Sequence, residues 1–155
     1  MNHPMRRQDR QISLEAAQAL LKSGEYGVIS TVDSHNQPYG IPVSYVVYDG
    51  CIDFHSAMEG HKIDNFETCD QVSFCVVGNT EVLPSQFSTR YESVIVFGRI
   101  SERHGAAKTK SLQALVDKYS PDFQKKGQQY IQSDQEKTKV YSISIDHITG
   151  KARSN

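Results

Sequence analysis

The run of residues richest in chemistry is Phe54-His55-Ser56-Ala57-Met58-Glu59-Gly60-His61-Lys62-Ile63-Asp64-Asn65. A strand pattern ends at His55, small residues turn the chain, and a helical pattern begins near Gly60. The first amides of a helix lack internal acceptors, and the helix dipole places partial positive charge there. His61 and Lys62 stand at that end, and Ser56 offers a hydroxyl. Amides, an ammonium, an imidazole and a hydroxyl together make a phosphate site. Cations at a helix N-terminus are otherwise unfavourable, so their placement points to an anion. The plainer reading is two solvated residues on a surface helix. The P-loop and GxGxxG patterns are absent. A metal set of His55, His61 and Asp64 or Cys69 fits no standard zinc spacing, so no metal is expected.

Other candidates are weaker. Pro42 lies in the run Tyr39 to Tyr45 and cannot donate to a strand ladder, so it marks an edge or a bulge. Backbone groups freed there could read the rim of a planar ring; otherwise the segment is an ordinary edge strand. Ser88 to Ser93 is dense in polar side chains, yet Arg90 and Glu92 could be a solvated pair. Lys151 and Arg153 add positive charge near the C-terminus, where a frayed tail is the plainer reading. No Ser/His/Asp or Cys/His pairing is legible. Imidazole titrates near neutrality, which makes His61 the best candidate for contact with both a bound anion and a substrate.

Elements that could position these residues follow from the periodicity. Ser13 to Lys22 reads as a helix, with Leu14, Ala17 and Leu21 on one face, Ser13 as cap and Gly24 as stop. Strands are predicted at Tyr26 to Val32, Tyr39 to Tyr48, Cys51 to His55, Gln71 to Val77, Tyr91 to Ile100 and Lys139 to Ile145. Asp49-Gly50 is the strongest hairpin signal. Short helices are predicted at His61 to Thr68 and Phe123 to Ile131, and a longer one at Ala106 to Tyr119, with Leu112, Leu115, Val116 and Tyr119 as its apolar stripe. Gly78 to Arg90 reads as a loop and His147 to Arg153 as a tail. Six antiparallel strands with helices inserted late imply a mainly β protein, a small barrel filled by its own side chains. A sizeable ligand must then bind on its outer rim, where a second copy would cover it and protect the strand edges.

Composition agrees. At 155 residues one domain is expected over 1–155, with a flexible N-terminus over 1–10. A net charge of −1 gives no long-range pull on nucleic acid or membrane, so any anion needs a local cluster of donors. Cys51, Cys69 and Cys75 make a poor disulfide framework and read as free thiols, with Cys75 in the core. No secretory signal or run of about 20 apolar residues is present, which implies a soluble cytoplasmic protein.

YGVISTVD, QPYGIPVSYV, DFHSAMEGHKIDN, VSFCVVG, TEVLP, TRYESVIVFGRI and HITGKAR together resemble the pyridoxamine 5′-phosphate oxidase-like flavoproteins, and within them the 5-nitroimidazole-resistance (Nim-type) subgroup. The resemblance runs from about Met5 to Arg153. It implies an FMN-binding split β-barrel with peripheral helices, homodimeric, with two flavin sites at the subunit interface. The family's phosphate-binding segment falls on His55, Ser56, His61 and Lys62, its ring-contacting strand on Pro42, Val43, Ser44 and Tyr45, and its partner-subunit strand near Tyr91, Glu92 and Ser93. Pyridoxamine oxidases of the family carry a C-terminal Trp and an Arg-x-His motif; this chain has no Trp and finishes KARSN. The implied activity is therefore an FMN-dependent oxidoreductase of the nitroreductase type, drawing electrons from a nicotinamide, and not pyridoxamine oxidation. The alternatives are a flavin-storage protein, or a haem- or deazaflavin-binding member of the same fold.

Overall fold

The computed structural model describes residues 3–154. Eight strands and four α-helices follow in order: α1 (Leu14–Ser23), β1 (Gly27–Val32), β2 (Pro38–Val43), β3 (Val46–Tyr48), β4 (Cys51–Ser56), α2 (His61–Thr68), β5 (Gln71–Leu83), β6 (Ser88–Arg103), α3 (Gly105–Tyr119), α4 (Gln124–Asp134), β7 (Lys139–Ser144) and β8 (His147–Arg153). The sheet runs β2-β1-β5-β6-β7-β4-β3, with β8 also on β6, and every pairing is antiparallel. Its two edge strands, β2 and β3, are consecutive in the chain, separated only by Ser44 and Tyr45. The sheet thus curls until its edges meet at that two-residue gap, which makes it a split barrel.

The expected six strands are eight, for two reasons. The second predicted strand breaks at Ser44–Tyr45, because β2 pairs with β1 while β3 pairs with β4. The predicted tail is β8, whose residues from His147 to Arg153 pair with β6 from Phe97 back to Tyr91. The predicted loop at 78–90 is mostly a ribbon. β5 and β6 continue past a bulge between Val77 and Thr80, and their hairpin turns through Pro84–Gln86 with Phe87 left-handed. Ahead of α1 the N-terminal segment has a short turn and contacts with β6 and β8. A 3-10 turn spans Gln8–Arg10, Arg10 donates to the Tyr91 hydroxyl at 3.5 Å, and Gln11 bridges to Lys151. Met1 and Asn2 lie outside the described residues.

Local signals set the helices. Ser13 Oγ accepts from Ala16 N–H at 3.1 Å and caps α1, whose Ala17 and Leu21 enter the core. Ile63 and Phe66 of α2 do the same. The barrel interior holds Ile29, Ile52, Phe54, Phe74, Val94, Val96 and Ile143. A second cluster, Val46, Leu112, Leu115, Ile131 and Val140, lies between the barrel wall and α3/α4. The three cysteines are free and half-buried; Cys75 pairs across to the exposed Ile95, so it faces outward on the sheet and is not a core residue.

Gly98 shows how tightly the barrel closes. β6 has β8 beside it up to Phe97 and β7 from Ile100 onward, so the two strands part at Gly98. A Cβ there would sit 1.7 Å from the Ser144 carbonyl oxygen. Gly98→Ala is expected to cost about 3 kcal/mol, the upper end for overpacking, in urea unfolding. Wild-type stability in that variant would show that the strands part with room to spare.

Candidate functional site

The register of β4 decides which way each of its side chains points. Ile52 and Phe54 face Ile143 and Tyr141 in the barrel, while Asp53 and His55 pair with Ser142 and Val140, and Val140 belongs to the cluster under α3 and α4. Adjacent strand residues point to opposite faces, so His55 and Ser56 diverge. His55 looks out toward the helices, and Ser56 lies on the Phe54 side, nearer the start of α2.

On the His55 side is a cavity of about 510 Å³. Ser44 and His55 form its barrel wall, and Leu112, Leu115, Tyr119, Phe123, Tyr130 and Ile131 are among the residues of the helical side. Lys126 and Asp134 are its charged residues. The cavity exists because α3 and α4 stand off the sheet. Asp53 holds α3 in place: its wholly buried carboxylate accepts from Ser111 Oγ at 2.6 Å and lies 3.7 Å from Arg103 Nε. Arg103 in turn donates to Ser142 Oγ at 3.0 Å. Removing the Arg103 charge would leave the buried Asp53 carboxylate without its counter-ion.

On the other side of β4, α2 begins at His61. Gly60 precedes it with φ 145°, a conformation L side chains avoid. Asn65 of α2 donates to Thr31 Oγ1 at 2.9 Å, and Thr31 donates to the Tyr39 carbonyl at 2.9 Å, which ties α2 to β1 and β2. His61 stacks on the Tyr39 ring, with centroids 4.0 Å apart. Lys62 is half-buried and, among the described residues, has no carboxylate partner within ion-pair distance. Ser56 is 5% exposed, and its hydroxyl has no hydrogen-bond partner. A buried orphan hydroxyl costs free energy unless a ligand completes it. His55 sits between the two regions. Loss of hydration in the concave surroundings, and then the nearby Lys62 ammonium, push its imidazole pKa below the ordinary value.

The structure therefore brings His55, Ser56, His61 and Lys62 to one end of β4, with Ser44 across the cavity from the helices. Pro42 and Val43 lie on β2, paired with Val28 and Gly27. Tyr45 is elsewhere: its side chain is wholly buried against Phe74, with its hydroxyl donating to the Leu21 carbonyl. Tyr91, Glu92 and Ser93 are also elsewhere. Arg103 shares the Val140 register with His55, and Tyr91 is twelve residues back along β6, about 40 Å of strand. Sequence reasoning missed Tyr39, Thr31 and Asn65, and took Tyr119 for a core residue. The signal for Tyr119 was its place at the end of the α3 stripe, next to the breaker Ser120-Pro121.

The sequence model of the family described as pyridoxamine 5′-phosphate oxidase matches residues 13–152, nearly the whole chain. The chain belongs to that family. Among curated proteins none matches. Among solved structures, a candidate 5-nitroimidazole antibiotic resistance protein of Bacteroides thetaiotaomicron superposes with a TM-score of 0.75 at 18% identity, covering 92% of this chain and 86% of that one. A FAD-binding protein of Mesorhizobium loti gives 0.67 at 20% identity, covering 94% and 98%. A FAD- and haem-binding protein of Mycobacterium smegmatis gives 0.78 at 20% identity, covering 94% and 74%. At these identities the likeness establishes the fold. No helix among the described residues is long and apolar enough to cross a membrane.

Two outcomes are expected of the free protein. Ser56→Ala should leave its stability unchanged or raise it, because the hydroxyl it removes is unpartnered; a loss of more than about 1 kcal/mol would mean the hydroxyl has a structural partner. His55 favours its neutral form in the fold, so unfolded chains bind more protons as the pH falls. That contribution to stability is complete above the ordinary histidine value and is lost as the pH falls through the folded value. By NMR titration the His55 pKa should rise in Lys62→Ala yet stay below the ordinary value, since burial is the larger cause.

Proposed function

We propose that this protein binds flavin mononucleotide at the end of β4 and acts as a flavin-dependent oxidoreductase. One observation carries the reading: an aromatic-walled cavity of about 510 Å³ and a helix start whose Lys62 makes no ion pair among the described residues meet at His55. A flavin has the same two parts, a planar apolar ring system and a phosphate. Ser44, Tyr119, Phe123 and Tyr130 would hold the ring, with Pro42 and Val43 on the same barrel edge. Lys62, His61, the first amides of α2 and the Ser56 hydroxyl would hold the phosphate. The orphaned Ser56 hydroxyl and the unpaired Lys62 fit such an anion.

The flavin, when bound, supplies hydride chemistry. The chain's own work is to orient the ring, exclude water with α3 and α4, and keep the phosphate end fixed. His61, exposed and held face-on by Tyr39, is the proposed proton carrier for the substrate. Nitroimidazole-type or other small aromatic compounds are the proposed substrates, with a nicotinamide as donor. The likeness to the Bacteroides protein and the Nim-type motifs support that choice.

We also propose a homodimer. The face of β5, β6 and β8 that carries Ile95 and Phe97 leaves large apolar side chains in water, Phe97 at 45% exposure. Tyr91, Glu92 and Ser93 lie too far along β6 to reach their own chain's site, so they would serve the partner's. A haem reading of the same cavity has one feature in its favour, the neutral His55 imidazole at its wall. Absorbance after adding FMN or haem to the purified protein separates the two.

Lys62→Ala should weaken FMN by about 1.5–3 kcal/mol, the scale of a hydrogen bond to a charged group, in a fluorescence-quenching titration. Unchanged affinity removes Lys62 from the phosphate site, and unquenched FMN with wild-type protein removes the reading itself. The mass in solution should be twice 17.4 kDa. A monomer of full flavin affinity would rule out a shared site.

A further inference from the structure

At Ser44–Tyr45 the barrel has no ladder. The last β1 partner is Gly27, opposite Val43, and the first β4 partner is Asp53, opposite Val46. Backbone groups next to a buried side chain still need partners, and α3 provides them. The Tyr45 N–H donates to the Tyr119 hydroxyl at 2.9 Å, and that hydroxyl donates to the Glu25 carbonyl at 2.6 Å. Lys118 Nζ donates to the Tyr45 carbonyl at 2.8 Å and to the Gly24 carbonyl at 2.6 Å, and lies 3.9 Å from the centroid of the Tyr45 ring. Two consecutive side chains at the end of α3 thus replace the missing rungs. They tie together the α1–β1 link, the barrel break and the wall of the cavity.

We infer that Lys118 and Tyr119 are positioning residues, a clamp that holds the break in the geometry that sets Ser44 at the cavity opposite α3. This deepens the flavin reading and rests on it for the ligand, though the clamp itself can be measured without one. Tyr119 both closes the clamp and lines the cavity, so opening one reshapes the other. Around Lys118 stand Lys22 on α1, Glu25 and Tyr26 in the α1–β1 link, Tyr45 and Tyr48 on the barrel, and Lys110, Asp117 and Tyr119 on α3. Lys118 forms no ion pair with either carboxylate among the described residues. Burial pushes its pKa down to about 8.

Three variants test this. Tyr119→Phe removes only the hydroxyl, Lys118→Met keeps the stem without the donors, and Lys118→Arg keeps charge and donors. In the flavin-free protein, amide exchange at Tyr45 should accelerate roughly 2- to 10-fold in the first two, the scale of one lost hydrogen bond. Amides inside β1 and β4 should be unchanged. FMN affinity should fall in the same variants and recover in part in Lys118→Arg. Unchanged Tyr45 exchange would overturn the clamp. Faster exchange with unaltered FMN affinity would overturn its positioning role. If wild-type protein binds no FMN, the flavin reading falls, and Tyr45 exchange still decides whether the clamp holds the break.

Discussion

A β-sheet that curls on itself must do something with the backbone where its edges meet. In this barrel the edges meet at Ser44 and Tyr45, between two strands that pair in opposite directions around the wall. A buried backbone group left without a partner costs about 1–3 kcal/mol, a sizeable part of a total stability of about 5–15 kcal/mol. The end of α3 meets that demand with Lys118 and Tyr119. Much else follows from this placement. α3 has to lie across the outer face of β3 and β4, α4 packs back against it, and the space they leave in front of His55 is the cavity.

Charge is handled in two ways, and the contrast separates scaffold from site. Asp53 is wholly buried, yet it has Ser111 and Arg103 as partners, and its work is to seat α3. Beyond the end of the same strand Lys62 of α2 has no carboxylate within ion-pair distance among the described residues, and the Ser56 hydroxyl has no hydrogen bond. Natural folds seldom leave buried polar groups unpartnered; Asp53 Oδ1 and Arg103 Nε also lack a hydrogen bond but belong to one ion pair, whereas Ser56 Oγ lies near the start of α2. Such an arrangement is unfavourable in the free protein and favourable once an anion arrives. With a net charge of −1, only a local arrangement of this kind can attract a phosphate.

Much of the helical and strand pattern was legible because it is written in local periodicity. Ser13, Gly24 and the Asp49-Gly50 turn carry their own signals. The break at Ser44–Tyr45 was not legible, since YGIPVSYVVY is rich in strand formers and its irregular residues, Gly40 and Pro42, lie ahead of the break. β8 was hidden for a different reason. HITGKAR has little apolar alternation and becomes a strand because β6 offers it an edge. The same holds for the ribbon at 78–90, where β5 and β6 stabilise each other past the bulge.

The sequence by itself determined that His61 and Lys62 open a short helix after Gly60, the family, and the mainly β architecture, because these depend on residue types at short separations. Tertiary structure decided that His55 and Ser56 face opposite ways, that Tyr45 is core, and that Tyr119 belongs to a cavity wall. It also put Tyr91, Glu92 and Ser93 far along β6 from His55. Those facts depend on strand register and on where α3 docks. Both are fixed by contacts between residues dozens of positions apart, which no local pattern encodes.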